Sequence, residues 1–443
     1  MNDNRLVEVV EQAQRCGATE AEAVLVISRN LEIEVSKGEI ETLSSSTARG
    51  LGLRLFTAEK RMGFAYTTSP DEAIETTVRN AWENAISNDP EPYAGICQEA
   101  GTLDEDWSVQ NPAQIPVENK IAFTMNLEQT TLDFDQRIEQ VEQAGYGDTL
   151  VDLTLVNSAG VRRRYRNAYF SCAVVGVATQ AGVDSERGWE FDFANAFDGL
   201  RLEWVAERCA RDAIRRLGGK PCASGSMPVV LDYAVATQFL QVLSSAFRAD
   251  NVLKGKSFLA GQTGHIAGSE HLSIVDQNDC PDAINRAPFD GEGTPAQRTV
   301  LVDNGRLAGY LHNLQTANEM GVQTSANASR GYSSPPDVGP SNLFICPGKE
   351  SQERLFAMAG NGFFITEAMG VHTADPISGD FSFGAAGLLI ENGELGRPVR
   401  GVTVAGNIRP LLKAVAAVGN DLRFLGSCGA PSLLIAELVI SGE

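Results

Sequence analysis

Leu6, Val9, Val10 and Ala13 recur at i, i+3, i+4 and i+7, which predicts a short amphipathic helix halted at Gly17. The period then shortens to two: AEAVLVIS and LEIEVSKGEIETLSS read as strands, and Leu51, Leu53 and Leu55 continue the alternation from Arg49 to Phe56. Ser69 as a cap, Pro70 at the first helical position and Glu72 as the capping-box acid predict a helix opening there. It runs to about Ser87 and buries Ile74, Val78, Ala81, Trp82 and Ala85. Pro90, Pro92, Pro112 and Pro116 punctuate a loop-rich connection to another helix near Glu118 to Leu132. Leu150 to Val177 is β-rich, with a turn at Asn157-Ser158-Ala159-Gly160, and Gly199 to Leu217 is a long amphipathic helix ended by Gly218-Gly219.

From Pro221 onward hairpins dominate. Asn304-Gly305 and Asn392-Gly393 sit in the same setting, aliphatic and acid before, charge and Leu after, and both read as two-residue type I′ turns. Helices near Tyr233 to Phe247 and Gln352 to Ala359 interrupt the strands, and Ser432 to Ile440 is apolar enough to be a central strand. The reading is an α+β fold: an N-terminal α+β domain over 1–220, then a β-rich, barrel-like, hairpin-dominated domain over 221–443. A chain of 443 residues supports two such cores.

Composition narrows the function. A net charge of −21 disfavours nucleic acid, since phosphate binding rests on Lys and Arg. No apolar run approaches a membrane span, and the N-terminus lacks the apolar core of a secretory leader. The eight scattered cysteines form no C-x-x-C, so a reducing cytoplasm is expected. Arg162-Arg163-Arg164 reads as a solvated strand face rather than an anion site.

The chemistry concentrates between Asn361 and Leu395. His372, Asp375, Ser378, Asp380 and Ser382 crowd into turns there, and Phe381 and Phe383 alternate with Ser382 as in a strand with one buried face. Catalytic patterns are otherwise missing. His265 and His271 are six residues apart with Gly268 between them, a poor pair for one ion, and Gly426-Ser427-Cys428-Gly429 lacks the strand-turn-helix context of a nucleophile elbow.

The segment TADPISGDFSFGAAG closely resembles the modulator-of-gyrase family, the paired TldD and TldE (PmbA) proteins. The resemblance extends through EIEVSKGEIETLSSSTARGLGLRLF, FDGEGTPAQRTVLVDNGRLAGYLHN, SRGYSSPPDVGPSNLFICPG, GVTVAGNIRPLLKAV and GSCGAP, nearly the whole chain. TldD-like members carry an H-E-x-x-x-H helix near the start of the C-terminal domain, and a cysteine near the C-terminus supplies a third zinc ligand. Laid over PVVLDYAVATQFLQVLSSAFRAD, that pattern puts Gln241 and Val242 at the first His and the Glu, and Ala246 at the second His. Cys428 matches the third ligand, but one thiolate cannot hold a catalytic zinc. The resemblance is therefore to the TldE (PmbA) branch, and it implies no catalytic residue and no metal or cofactor in this chain.

Resemblance to that branch implies a non-catalytic subunit of a cytoplasmic zinc metallopeptidase. The zinc lies in a TldD-like partner, in a heterodimer acting on unfolded or small peptides, and a homodimer of the isolated chain is an open option. Ser378, Gly379, Asp380, Phe381 and Ser382 are the expected substrate-facing residues, with an extended peptide adding to a sheet edge. Two alternatives stand beside this: a self-sufficient hydrolase with an unrecognised site, or a homodimeric peptide-binding or regulatory protein without protease activity.

Overall fold

The computed structural model describes residues 3–443, apart from the side chains of Asp3 and His372. The first half contains α1 (Asp3–Arg15), β1 (Glu20–Ser36), β2 (Glu39–Phe56), β3 (Met62–Thr67), α2 (Ile74–Ser87), β4 (Gly101–Asp106), α3 (Val117–Asp133), β5 (Ile138–Asn157), β6 (Val161–Ala178), β7 (Glu186–Ala194) and α4 (Leu202–Arg215). Its seven strands form one sheet in the order β3-β2-β1-β5-β6-β4, with β7 also paired to β6. α1 and α2 bury Leu6, Val9, Val10, Ala13, Val78, Ala81 and Ala85 against Leu51, Leu53 and Leu55. α3 and α4 cover Ile33, Tyr146, Phe170 and Val174.

α2 opens five residues after the predicted cap. Its N-cap is Ala73, without a side-chain cap bond, because Glu72 and Ala73 fold back as turns onto the Ser69 carbonyl. A second difference is the β1–β2 hairpin, which turns at Lys37-Gly38 with φ of 55° and 72°. The arginine run is not a solvated face either. Arg163 is buried and donates to the Gly293, Gly101 and Glu99 carbonyls at 3.1, 2.7 and 2.9 Å. Arg164 ion-pairs with Asp152 at 2.9 Å, and Arg162 alone of the three stays exposed.

The second half contains β8 (Gly225–Leu231), α5 (Tyr233–Phe247), α6 (Ala249–Leu253), β9 (Ile274–Gln277), β10 (Arg298–Asp303), β11 (Arg306–Leu307), α7 (Leu314–Met320), β12 (Ala328–Ser329), β13 (Asp337–Val338) and β14 (Leu343–Ile345). It continues with α8 (Gln352–Ala359), β15 (Gly362–Met369), β16 (Asp380–Glu391), β17 (Glu394–Asn407), α9 (Ile408–Lys413), β18 (Val415–Val418), β19 (Arg423–Leu425), β20 (Cys428–Ala430) and β21 (Leu433–Ser441). β17, β16, β15, β8 and β21 form a ring, closed where β21 pairs back onto β17, and β18 is added to β21. This is a barrel, as the hairpin density predicts. A second sheet runs β11-β10-β9-β14-β20-β19, and β12 pairs with β13 in a separate two-stranded ribbon. The barrel turn has φ of 54° at Asn392 and 83° at Gly393, the signature of a type I′ turn.

The halves meet through buried charge. Arg54 of β2 lies 3.3 Å from Glu22 of β1 and 3.2 Å from Glu292, and Arg330 also pairs with Glu22. All four side chains are nearly inaccessible to water. Farther along, the Arg423 guanidinium stacks 4.0 Å from the Trp204 ring, and the Tyr233 hydroxyl donates to Glu190 at 2.7 Å.

Candidate functional site

α5 carries the site. Asp232 caps it, accepting from the Ala234 N–H at 3.1 Å, and the following fifteen residues hold no Gly or Pro. One face is apolar: Val235, Ala236, Phe239, Leu240, Leu243, Ala246 and Phe247 join a core with the inward side chains of the barrel. The other face shows Gln238, Gln241, Val242 and Ser245 at i, i+3, i+4 and i+7 to an open cavity of about 600 Å³. Ala368, Gly370, Ala374 and Pro376 form the facing wall, so the cavity lies between α5 and the turn after β15.

That turn is heavily braced. Asp375 Oδ1 accepts from the N–H groups of Ile377 and Ser378 at 2.7 and 3.2 Å, and those bonds hold its carboxyl below the usual range. Asn407, at the end of β17, donates to the Ser378 carbonyl at 2.9 Å and to Asp380 Oδ1 at 2.8 Å. The Asn407 bond and a second one from the Ser378 hydroxyl depress the Asp380 pKa, so this carboxylate is ionised at neutral pH. Exposed Ile377 and Met369 flank it. β16 pairs with β17 from Asp380 onward, but with β15 only from Gly384. Among the described residues no strand lies along the other side of Asp380–Phe383.

The sequence-predicted residues divide. Asp380 and Ser382 are exposed and Ser378 is half-buried, so these three reach the surface. Gly379 and Phe381 do not, which corrects their place in the substrate-facing set. Phe381 is only 5% exposed, and its ring meets those of Phe239 and Phe383 at 5.1 and 5.7 Å. It also fills the space beside Gly406, where a Cβ would come within 2.9 Å of the ring. The His372 side chain, counted with the turn's polar groups, lies outside the described residues.

The positions laid over the metal pattern also divide. Gln241 and Val242 reach the cavity, whereas Ala246 and Cys428 are core residues. Burial pushes the Cys428 thiol up to about 11, far from the thiolate that metal binding requires. Val242 and Ala246 have no donor atom, so a zinc ion does not fit these residues. Among the described residues no three His, Cys, Asp or Glu side chains are grouped to hold an ion. No helix among them is long and apolar enough to cross a membrane. Sequence reasoning missed Gln238 and Ser245; their i, i+3, i+7 spacing with Gln241, on the polar side of an apolar helix, was the available signal.

Three models of one family match the chain: PmbA/TldA metallopeptidase domain 1 over residues 21–85, the central domain over 110–217 and the C-terminal domain over 224–442. The chain belongs to the PmbA/TldD metallopeptidase family. It is 28% identical over 426 residues to the metalloprotease PmbA of Escherichia coli O157:H7, covering 95% of this chain and 92% of that one. A crystal structure from Thermotoga maritima MSB8, named for modulation of DNA gyrase, superposes with a TM-score of 0.90 at 25% identity, covering 99% of this chain and all of that one. TldE from Thermococcus kodakarensis has the same fold, with a TM-score of 0.85 at 20% identity over 99% of this chain and 100% of that one. Within the PmbA/TldD fold, α5 is the helix on which the metal pattern was laid, and here it presents amides, a valine and a hydroxyl to its cavity.

Proposed function

We propose that this chain is the non-catalytic, TldE-like subunit of a cytoplasmic zinc metallopeptidase that processes unfolded or small peptides. The observation that carries this reading is α5 itself. The helix, its cavity and the family fold are all present, yet Gln241, Val242 and Ala246 stand where two histidines and a glutamate would be needed. Zinc and its activated water then belong to a TldD-like partner. This subunit encloses the chamber and presents the turn from Ala374 to Ser382, where Ser378, Asp380 and Ser382 face the peptide. The unpaired side of Asp380–Phe383 accepts a few residues of extended chain by strand pairing. Enclosure matters because a protease among folded proteins must exclude them.

Reconstitution tests the reading. The tagged chain should co-purify with a relative bearing H-E-x-x-x-H, hold well under one zinc per chain by elemental analysis, and cleave unfolded peptides only in that pair. Stoichiometric zinc with peptidase activity in the lone chain would favour a self-sufficient hydrolase. A chain that ignores the relative and binds peptides by itself would favour the regulatory reading.

A further inference from the structure

A second cavity, of about 280 Å³, lies where the two halves meet and shares no lining residue with the one beside α5. Leu153 of β5 and Tyr165 and Asn167 of β6 line it from the first half, and loops around 284–291 and 326–341 line it from the second. Its volume falls just below the usual range of about 300–1,000 Å³ for small-molecule sites, so its occupant is small. Three charged residues line it: Asp290, Arg330 and Arg286. Asp290 is saturated, accepting from the N–H groups of Glu292, Thr294 and Ala328 at 2.9, 3.0 and 3.0 Å. Arg330 is paired with Glu22 and its side chain is sealed from water, so a ligand does not reach its remaining donors. Arg286 differs. It is half-buried, and among the described residues its guanidinium makes no ion pair and donates no hydrogen bond, with Nε buried and unpartnered. A charged donor left in that state is costly unless something supplies the acceptor.

We propose that this cavity binds a small monocarboxylate bearing an apolar or aromatic group, its carboxylate on Arg286 and its apolar group against Tyr165, Leu153 and Ile284. Arg286 is held ready for this. The Trp107 ring lies 4.9 Å from its guanidinium, which fixes the plane of the fork. The backbone is tied on both sides: Asn342 donates to the Asn285 carbonyl at 3.0 Å, Asn167 to the Arg286 carbonyl at 3.2 Å, and the Ala287 N–H to the Asn278 carbonyl at 3.0 Å. A planar fork matches the two oxygens of a carboxylate. With one uncompensated cation and no lysine in the lining, the site suits a single negative charge better than the nearly double charge of a phosphate. Phe289 packs edge-on to Tyr165, with centroids 5.3 Å apart, and so fixes the ring that the apolar group meets. A free amino acid and the carboxy terminus of a short peptide share this chemistry. The inference does not rest on a peptidase role, and the site needs neither zinc nor a partner.

The test titrates the full chain with N-acetylphenylalanine by calorimetry, which should show saturable binding. N-acetylphenylalanine amide, which lacks the charge, should bind about tenfold more weakly or worse, the size of a lost charge-assisted hydrogen bond. Arg286→Gln should weaken binding of the acid by a similar factor with the ligand-free melting temperature unchanged. Arg286→Lys, which keeps the charge and loses the fork, should fall between. Free phenylalanine identifies the source: tighter binding than the acetylated acid points to a free amino acid, weaker binding to a peptide carboxy terminus, and either ranking supports the site. Absence of saturation by both acids at millimolar concentration, equal binding of acid and amide, or an Arg286→Gln chain that binds like the parent would each overturn the proposal. So would inorganic phosphate displacing the acid at equal concentration. The acid–amide comparison uses the parent chain, so it decides the matter even where Arg286→Gln folds poorly. Capture by a zinc-bearing relative is scored separately, so failure there leaves this result standing.

Discussion

Replacing Phe381 with Ala separates packing from substrate contact. The ring is 5% exposed and sits between Phe239 and Phe383, so truncation opens a cavity where α5 meets the barrel. Phe→Ala in a core costs about 3–5 kcal/mol, and each lost aromatic pair contributes about 0.5–1.5 kcal/mol within such a total. For a unit the size of the C-terminal half, 1 kcal/mol moves the midpoint by about 2–4 °C, so the expected fall is about 6–20 °C. Urea unfolding followed by far-ultraviolet circular dichroism gives the free energy, and calorimetry gives the temperature. Phe381→Leu should recover much of the loss, because it keeps most of the buried surface. Asp380→Ala, one residue away and exposed, should lose far less stability. In the reconstituted pair it should weaken peptide cleavage, whereas Phe381→Ala should lower activity only as far as it lowers the folded fraction. A Phe381→Ala chain that loses less than about 1 kcal/mol yet no longer supports cleavage would refute the packing argument and return the ring to the substrate face.

Four further outcomes are expected. Gln241→His with Val242→Glu should fold normally, since both face the cavity, and still bind no tight zinc by elemental analysis; adding Ala246→His should overpack the core and cost about 1–3 kcal/mol in urea. Arg54→Met leaves Glu22 and Glu292 without their shared guanidinium and should cost about 3–5 kcal/mol, read as early separation of the two halves by limited proteolysis. Burial pushes Asp232 up to about 7, against the pull of Arg208, so the folded chain holds a proton that the unfolded chain releases near pH 4. Stability from this group is thus full at low pH and falls as pH rises from about 4 to 7; Asp232→Asn, which keeps the capping oxygen, should flatten that slope in urea titrations at pH 5 and pH 8. Burial drives the His312 pKa below its usual value, with the opposite sign: the neutral ring is the folded form, so its contribution is lost as pH falls below about 6.5, and His312→Gln should reduce the acid-side decline.

How far these features were legible in the residues depended on whether local chemistry or long-range pairing decided them. Tyr233–Phe247 was bounded correctly because Asp232, the apolar stripe and the absence of Gly or Pro all agree. The Asn-Gly turns were legible because Asn and Gly tolerate positive φ. Lys37-Gly38 has the same geometry with a residue that does not advertise it, and it passed unnoticed. β4 was hidden for another reason. Gly101–Asp106 is acidic and mostly exposed, and it is a strand only because it lies parallel to Arg162–Arg166 of β6. At the site, the alternation of Phe381 with Ser382 already implied an inward ring; grouping it with the turn's polar residues overrode its own period. Burial of Ala246 and Cys428, like the ion cluster of Glu22, Arg54, Glu292 and Arg330, arises from contacts between distant segments that no local pattern encodes.

The way the barrel closes sets a schedule for its making. β8 is the first strand of the second half and β21 the last among the described residues, yet they are neighbours, and β21 closes the ring between β8 and β17. A ribosome releases the chain from its N-terminus, so β8 waits for its last neighbour through about two hundred residues of synthesis, and β17 waits only through the short stretch between Asn407 and Leu433. Until the segment from Leu433 to Ser441 emerges, the ring stays open and α5 has only part of its core to rest on. A stop codon ahead of Leu433 would therefore remove the strand that closes the barrel. It would leave a long nascent β-domain with two sticky edges, a natural client for chaperones and for degradation.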